Sequence, residues 1–149
     1  MNILQDTNAL IKLYHEEKGS SNLKSFLAKS ERDLTLNISQ LSILEFHTAF
    51  MRRVFTKDMD LENAKELINL FQKDLPSFGI IPMDSNLIFE SLKLINTIAG
   101  RFNLRTLDSI QLTCCIMTND IIPIDYFIPS DIKLLNVVKN YFQIYNPEE

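Results

Sequence analysis

Glycine is scarce in this sequence, with three residues among 149, and the two cysteines are neighbours. So few glycines leave little material for a glycine-rich phosphate loop, and no such motif is present. Cys114 and Cys115 fall in a predicted helix, where adjacent side chains point about 100° apart. A disulfide between them would be strained, so both read as small buried apolar residues. No C-x-x-C, H-E-x-x-H or G-x-S-x-G motif occurs. The only histidines, His15 and His47, lie far apart in sequence and read as packing or surface residues. Charge of one sign is also lacking: a net charge of −4 offers no broad cationic surface for sequence-independent binding of nucleic acid. A phosphate-bearing substrate would therefore need local help. No segment approaches the roughly 20 apolar residues needed to cross a bilayer. The opening "MNILQD" has neither a basic lead nor an apolar stretch ending in small residues, so no secretory signal is read there and a cytoplasmic location is expected.

What is present is ordinary globular material. The chain has the size of one domain, 1–149, with 46% hydrophobic residues and no internal repeat. "NILQ" reads as a strand turning at Asp6 or Thr7 into an amphipathic helix, and "SSNLKSFLAKS" as a second helix. "DLTLNIS" is a strand, after which Ser39 caps the helix "QLSILEFHTAFMRRVF". "DLENAKELINLFQKDL" is helical and is broken by Pro76 and Gly79. The strand candidate "GIIPM" precedes a helix opened by Asp84 and closing at Gly100. "LRTLDSIQLTCC" forms the next helix. "YFIPSD" then gives strand and turn, "IKLLNVVKNYF" a helix and "QIYNP" a final strand. Alternation at this spacing predicts an α/β fold with a mostly parallel sheet and helices on both faces. Such sheets bind ligands beyond the carboxyl ends of their strands.

Four acids invite a functional reading, and each has a plainer one beside it. On a helical wheel Leu104, Leu112 and Cys115 all lie within about 40° of Asp108, and an unpaired carboxylate among them would be costly. A metal or cationic partner would relieve that cost. Alternatively, Asp108 caps a helix that starts later, or pairs with Arg105. Glu45 shares a polar arc with Ser42, Thr48 and Arg52, a pattern that suits both a solvated face and a cleft wall. Asp6 and Asp131 each stand where a strand turns into a helix, where an aspartate can serve simply as an N-cap. Capping leaves unexplained why two strand-end carboxylates are expected on one edge of one sheet, with Asn8 and Ser130 beside them as neutral hydrogen-bonding groups. Clustered carboxylates repel, and a hard divalent cation removes the conflict.

In order and spacing, "DTNALIKLY", "SQLSILEFHTAFMRR", "LRTLDSIQL" and "IPSDIKLLNVVKNYFQIYNPE" resemble the successive motifs of a PIN domain of the VapC toxin type. The resemblance spans nearly the whole chain and implies a single three-layer α/β/α sandwich. It further implies a Mg²⁺- or Mn²⁺-dependent endoribonuclease, a homodimer, and a cognate antitoxin that covers the active-site groove. The family's acidic quartet falls on Asp6, Glu45, Asp108 and Asp131. Asp6, Asp108 and Asp131 would be metal ligands, with Glu45 a ligand or the orienter of the attacking water. Asn8 stands where Ser or Thr is more usual. Arg52 and Arg105 could meet substrate phosphates, a structural ion pair being the alternative for each. The stretch "TNDIIPIDYFIPSD" is longer and richer in proline than the family pattern, which makes Asp120 and Asp125 rivals of Asp131. A catalytically silent PIN-like module that binds RNA or a protein is the competing reading. A phosphoacceptor role for Asp6 lacks an adjacent acidic pair or partner lysine.

Overall fold

In the computed structural model, which describes residues 1–29, 33–129 and 132–149, strand β1 (Asn2–Gln5) leads directly into Asp6. Asp6 has extended backbone angles and accepts a hydrogen bond from Ala9 N, so it is the N-cap of α1 (Thr7–Tyr14). Gly19, with φ of 88°, makes a left-handed turn into α2 (Ser20–Ala28). β2 (Thr35–Ser39) passes without a loop into α3 (Gln40–Phe55), because the last strand residue, Ser39, is also the cap that accepts from Ser42 N. α4 (Leu61–Asp74) starts on Asp60 and ends in a short 3₁₀ turn containing Pro76, before β3 (Gly79–Ile81). α5 (Ser85–Phe102), α6 (Thr106–Ile121), β4 (Tyr126–Ile128) and α7 (Ile132–Val138) complete the chain.

The four strands lie in the order β3-β2-β1-β4, and every pairing is parallel. Side chains alternate across the pleat, so neighbouring residues of one strand serve different layers. Leu4 and Phe127 pack with Ile98, Leu112 and Val137 from α5, α6 and α7. Ile3 and Ile128 pack with Ala9, Leu23 and Leu27 from α1 and α2, while Ile38 joins Leu10, Phe46, Phe50 and Phe71. The result is the three-layer α/β/α sandwich the sequence predicts. Phe46 and Phe71 lie 4.1 Å apart, with Tyr14 edge-on to both and its hydroxyl donating to Asp74 Oδ2 at 3.0 Å. This cluster locks α1, α3 and α4 together.

Several boundaries differ from the sequence reading, each for a local reason. Gly100 lies inside α5; the helix is followed by Asn103, which takes the left-handed conformation (φ 49°) that ends helices. α6 starts at Thr106, not at Leu104. α7 stops at Val138, where the Asn140 side-chain amide donates to the carbonyls of Asn136 and Val137 and competes with the helical ladder. The expected strand "QIYNP" shrinks to one parallel bridge between Ile144 and Phe127, and Pro147 brings no N–H to extend it.

Candidate active site

Asp6, Glu45 and Asp108 come from three elements and line one cleft of about 710 Å³. The strand order makes this possible. Asp6 follows the central strand β1, and its backbone N–H donates to Ile128 O at 3.1 Å, which ties it to the carboxyl end of β4. Glu45 lies in the second turn of α3, which starts at the carboxyl end of β2, and Asp108 lies in the first turn of α6. Asp6 is buried, while Glu45 and Asp108 are half-buried. The polar arc of α3 therefore faces the cleft, with Glu45, Thr48 and Arg52 all lining it.

Glu45 is held by neutral donors. Thr7 Oγ1 donates to Glu45 Oε2, and Gln111 Nε2 approaches the same oxygen at 3.3 Å. Gln111 Nε2 is also 3.1 Å from Ser42 Oγ, and the Ser42 hydroxyl lies 3.0 Å from that of Ser39. The network thus runs from the α3 cap through α1 and α6 to the carboxylate. Asp108 Oδ2 accepts from the backbone N–H of Arg105 at 3.1 Å, a capping contact in the first turn of α6. Of the alternatives for Asp108, capping is present and the side-chain pair with Arg105 is not: the contact is to backbone. The wheel that set Asp108 beside Leu104 assumed a helix starting too early.

The other expected residues divide. Asn8 is exposed at the cleft edge, and Arg52 lines the wall without an ion partner among the described residues. Arg53, which the sequence reading passed over, also lines it but is engaged by Glu17 at 2.9 Å. Arg105 is exposed and does not line the cleft. Ser130 and Asp131 lie outside the described residues. The rivals Asp120 and Asp125 belong elsewhere. Asp125 Oδ2 accepts from Asn2 N at 2.7 Å, at the amino end of the sheet, and Asp120 lines a separate groove between α5 and α6. Sequence reasoning missed Thr7 and Gln111. The available signal was that Gln111 is three residues after Asp108, as Ser42 is three before Glu45, so each acid has a polar neighbour on its own helix face.

The cleft is acidic, since Asp6, Glu45, Asp58 and Asp108 line it against the guanidinium groups of Arg52 and Arg53. Its donors are hard carboxylate oxygens with no histidine or thiolate, a set suited to Mg²⁺ or Mn²⁺ and not to zinc. Among the described residues no three such side chains converge closely enough to hold an ion by themselves. Magnesium commonly contacts only one or two carboxylates and keeps its waters, so the donors present fit it in kind. The thiols take no part. Cys114 and Cys115 are fully buried, and burial pushes Cys114 up to about 12.

No curated protein sequence matches the chain. Solved structures do. The chain is similar to the VapBC-1 complex of nontypeable Haemophilus influenzae (TM-score 0.68, 13% identity, 100% of both chains). It is also similar to the VapBC2 complex of Rickettsia felis bound to a promoter DNA fragment (TM-score 0.65, 17% identity, 98% of both chains). A third similar structure is VapC20 of Mycobacterium tuberculosis, described as a sarcin-ricin loop cleaving toxin (TM-score 0.65, 13% identity, 90% of this chain and 93% of that one). At these identities the likeness is one of fold. The PIN domain family profile matches residues 3–124, which run from β1 to the end of α6 and carry Asp6, Glu45 and Asp108, and the chain therefore belongs to the PIN domain family.

Proposed function

We propose that this protein is a metal-dependent endoribonuclease that hydrolyses RNA phosphodiester bonds, acting as the toxin of a type II toxin-antitoxin pair in the cytoplasm. The observation that carries the reading is the meeting of Asp6, Glu45 and Asp108 in one cleft at the carboxyl ends of the parallel strands. Likeness of fold to VapC structures, one of them described as a sarcin-ricin loop cleaving toxin, supports it. Asp6 and Asp108, with Asp131, would hold Mg²⁺ or Mn²⁺ through carboxylate oxygens. When bound, the ion supplies positive charge at the scissile phosphate and lowers the pKa of a water. Glu45, tied at Oε2 by Thr7 and Gln111, would be a further ligand or would orient the attacking water. Arg52 would meet a substrate phosphate at the cleft wall. The whole chain would form one PIN domain, pair as a homodimer, and be silenced by an antitoxin covering the groove. Purified protein should cut single-stranded RNA with Mn²⁺, and Asp108→Ala should abolish cutting; cleavage that persists in excess chelator sinks the mechanism.

A second reading, a silent PIN-like module that binds RNA or a partner protein, is favoured by the lack of a three-ligand cluster among the described residues. Titration calorimetry separates the two. No heat and no thermal stabilisation with millimolar Mn²⁺ would select the binding module.

A further inference from the structure

Gln111 is a costly residue for its place. It is 5% exposed, and its Oε1 is buried with no hydrogen-bond partner among the described residues. A buried carbonyl left unpaired works against folding, and an apolar side chain of the same length would remove the defect. Turning the amide over gives no relief, because it would set Oε1 against the carboxylate oxygen of Glu45 at the 3.3 Å now held by Nε2. The amide is therefore oriented by what Nε2 does.

Proton accounting shows what that is. Nε2 has two N–H groups and three acceptors in reach: Ser42 Oγ at 3.1 Å, Glu45 Oε2 at 3.3 Å and Thr7 Oγ1 at 3.4 Å. Thr7 has a single hydroxyl proton, and the charged carboxylate is its stronger acceptor, so that proton goes to Glu45. Ser42 then directs its own proton to Thr7 or Ser39, both within 3.1 Å, and is free to accept from Gln111. The two N–H groups of Gln111 serve Ser42 and Glu45. Donors from α1 and α6 thus grip one oxygen of a carboxylate carried by α3, and Oε1 receives neither bond.

We propose that Gln111 is a positioning residue, acting through Glu45: with Thr7 it fixes Oε2 so that Oε1 is presented to the reacting group in the cleft. This rests on the nuclease reading of the same cleft. The unpaired carbonyl is the stability given up for that arrangement.

The test compares wild type, Gln111→Met, Glu45→Gln and the double variant. Melting temperature is measured in chelator, Mn²⁺ affinity by calorimetry, and kcat and KM on a long single-stranded viral RNA with Mn²⁺. Gln111→Met removes the unpaired carbonyl together with two donated hydrogen bonds, opposing effects on stability, so melting in chelator serves to establish that the variant is folded. The variant should lose about 10- to 100-fold in kcat with KM unchanged, or that factor in Mn²⁺ affinity, the usual range for a group that orients a ligand. Any loss of affinity should vanish when Glu45 is already Gln. An equal affinity loss in both backgrounds, or no change in either readout, overturns the proposal. If wild type binds Mn²⁺ yet cuts no RNA, the nuclease reading fails while the affinity cycle still decides Gln111; if it does neither, both fail. Should Gln111→Met not fold, Thr7→Val removes the other donor and is judged by the same criteria.

Discussion

Asp6 holds two roles that substitution can pull apart. Its Oδ1 accepts from Ala9 N at 2.8 Å and caps α1, while its charge enters the acidic cleft beside Glu45 and Asp108. Asn caps as well as Asp, so Asp6→Asn keeps an oxygen for Ala9 N–H and removes only the charge. Asp6→Ala removes both, and loss of an N-cap costs about 1 kcal/mol. For a chain of this size that is a fall of about 2–4 °C in melting temperature. With chelator present, Asp6→Asn should therefore melt above Asp6→Ala by about that margin. Both should be inactive, with cleavage of single-stranded RNA in Mn²⁺ down by more than about 100-fold, because neither side chain can serve a divalent cation as a carboxylate does. Differential scanning fluorimetry and a gel-based cleavage assay on the same preparations suffice. Cleavage retained by Asp6→Asn would refute the charge argument. An Asn variant melting as low as the Ala variant would refute the capping argument.

Two further outcomes concern the scaffold. Gly19 has φ of 88°, and a Cβ there would meet the Pro147 carbonyl oxygen at 2.8 Å, so Gly19→Ala should destabilise by about 1–3 kcal/mol in urea unfolding; an unchanged midpoint would show that the C-terminal segment moves aside freely. The buried Lys12 ammonium bonds Glu148 at 3.0 Å and Glu17 at 3.2 Å, and the Lys12 contact holds the Glu148 carboxyl below its ordinary 4.5. A lowered carboxyl pKa contributes stability that is present above the unfolded value and lost as pH falls through the folded one. The stability gap between wild type and Glu148→Gln should accordingly be full at pH 6 and close as pH falls below about 4.5; a gap that persists at pH 2 would contradict the assignment.

The stretch "LRTLDSIQLTCC" illustrates both the reach and the failure of pattern reading. Its burial was legible: Leu112, Cys114 and Cys115 are fully buried. The place of Asp108 was not, because a wheel assumes a helix throughout, and with α6 starting at Thr106 the acid falls in the first turn, where it bonds the Arg105 N–H. Ser39 was readable as a cap because capping is a contact between residues three apart. Gln111 was not readable as a donor to Glu45, which stands 66 residues earlier.

By itself the sequence determined the order of most elements, the caps at Asp6 and Ser39, and the alternation that sends Ile3 to one helical layer and Leu4 to the other, since these depend on backbone geometry within a few residues. The order of acids also carried the family resemblance. Only the tertiary structure decided that β1 lies between β2 and β4, that the polar arc of α3 faces a cleft instead of water, and that Thr7 and Gln111 share one oxygen of Glu45. Those outcomes depend on how parallel strands are ordered and how helices approach across the sheet, and no local period encodes a meeting between residues so far apart along the chain.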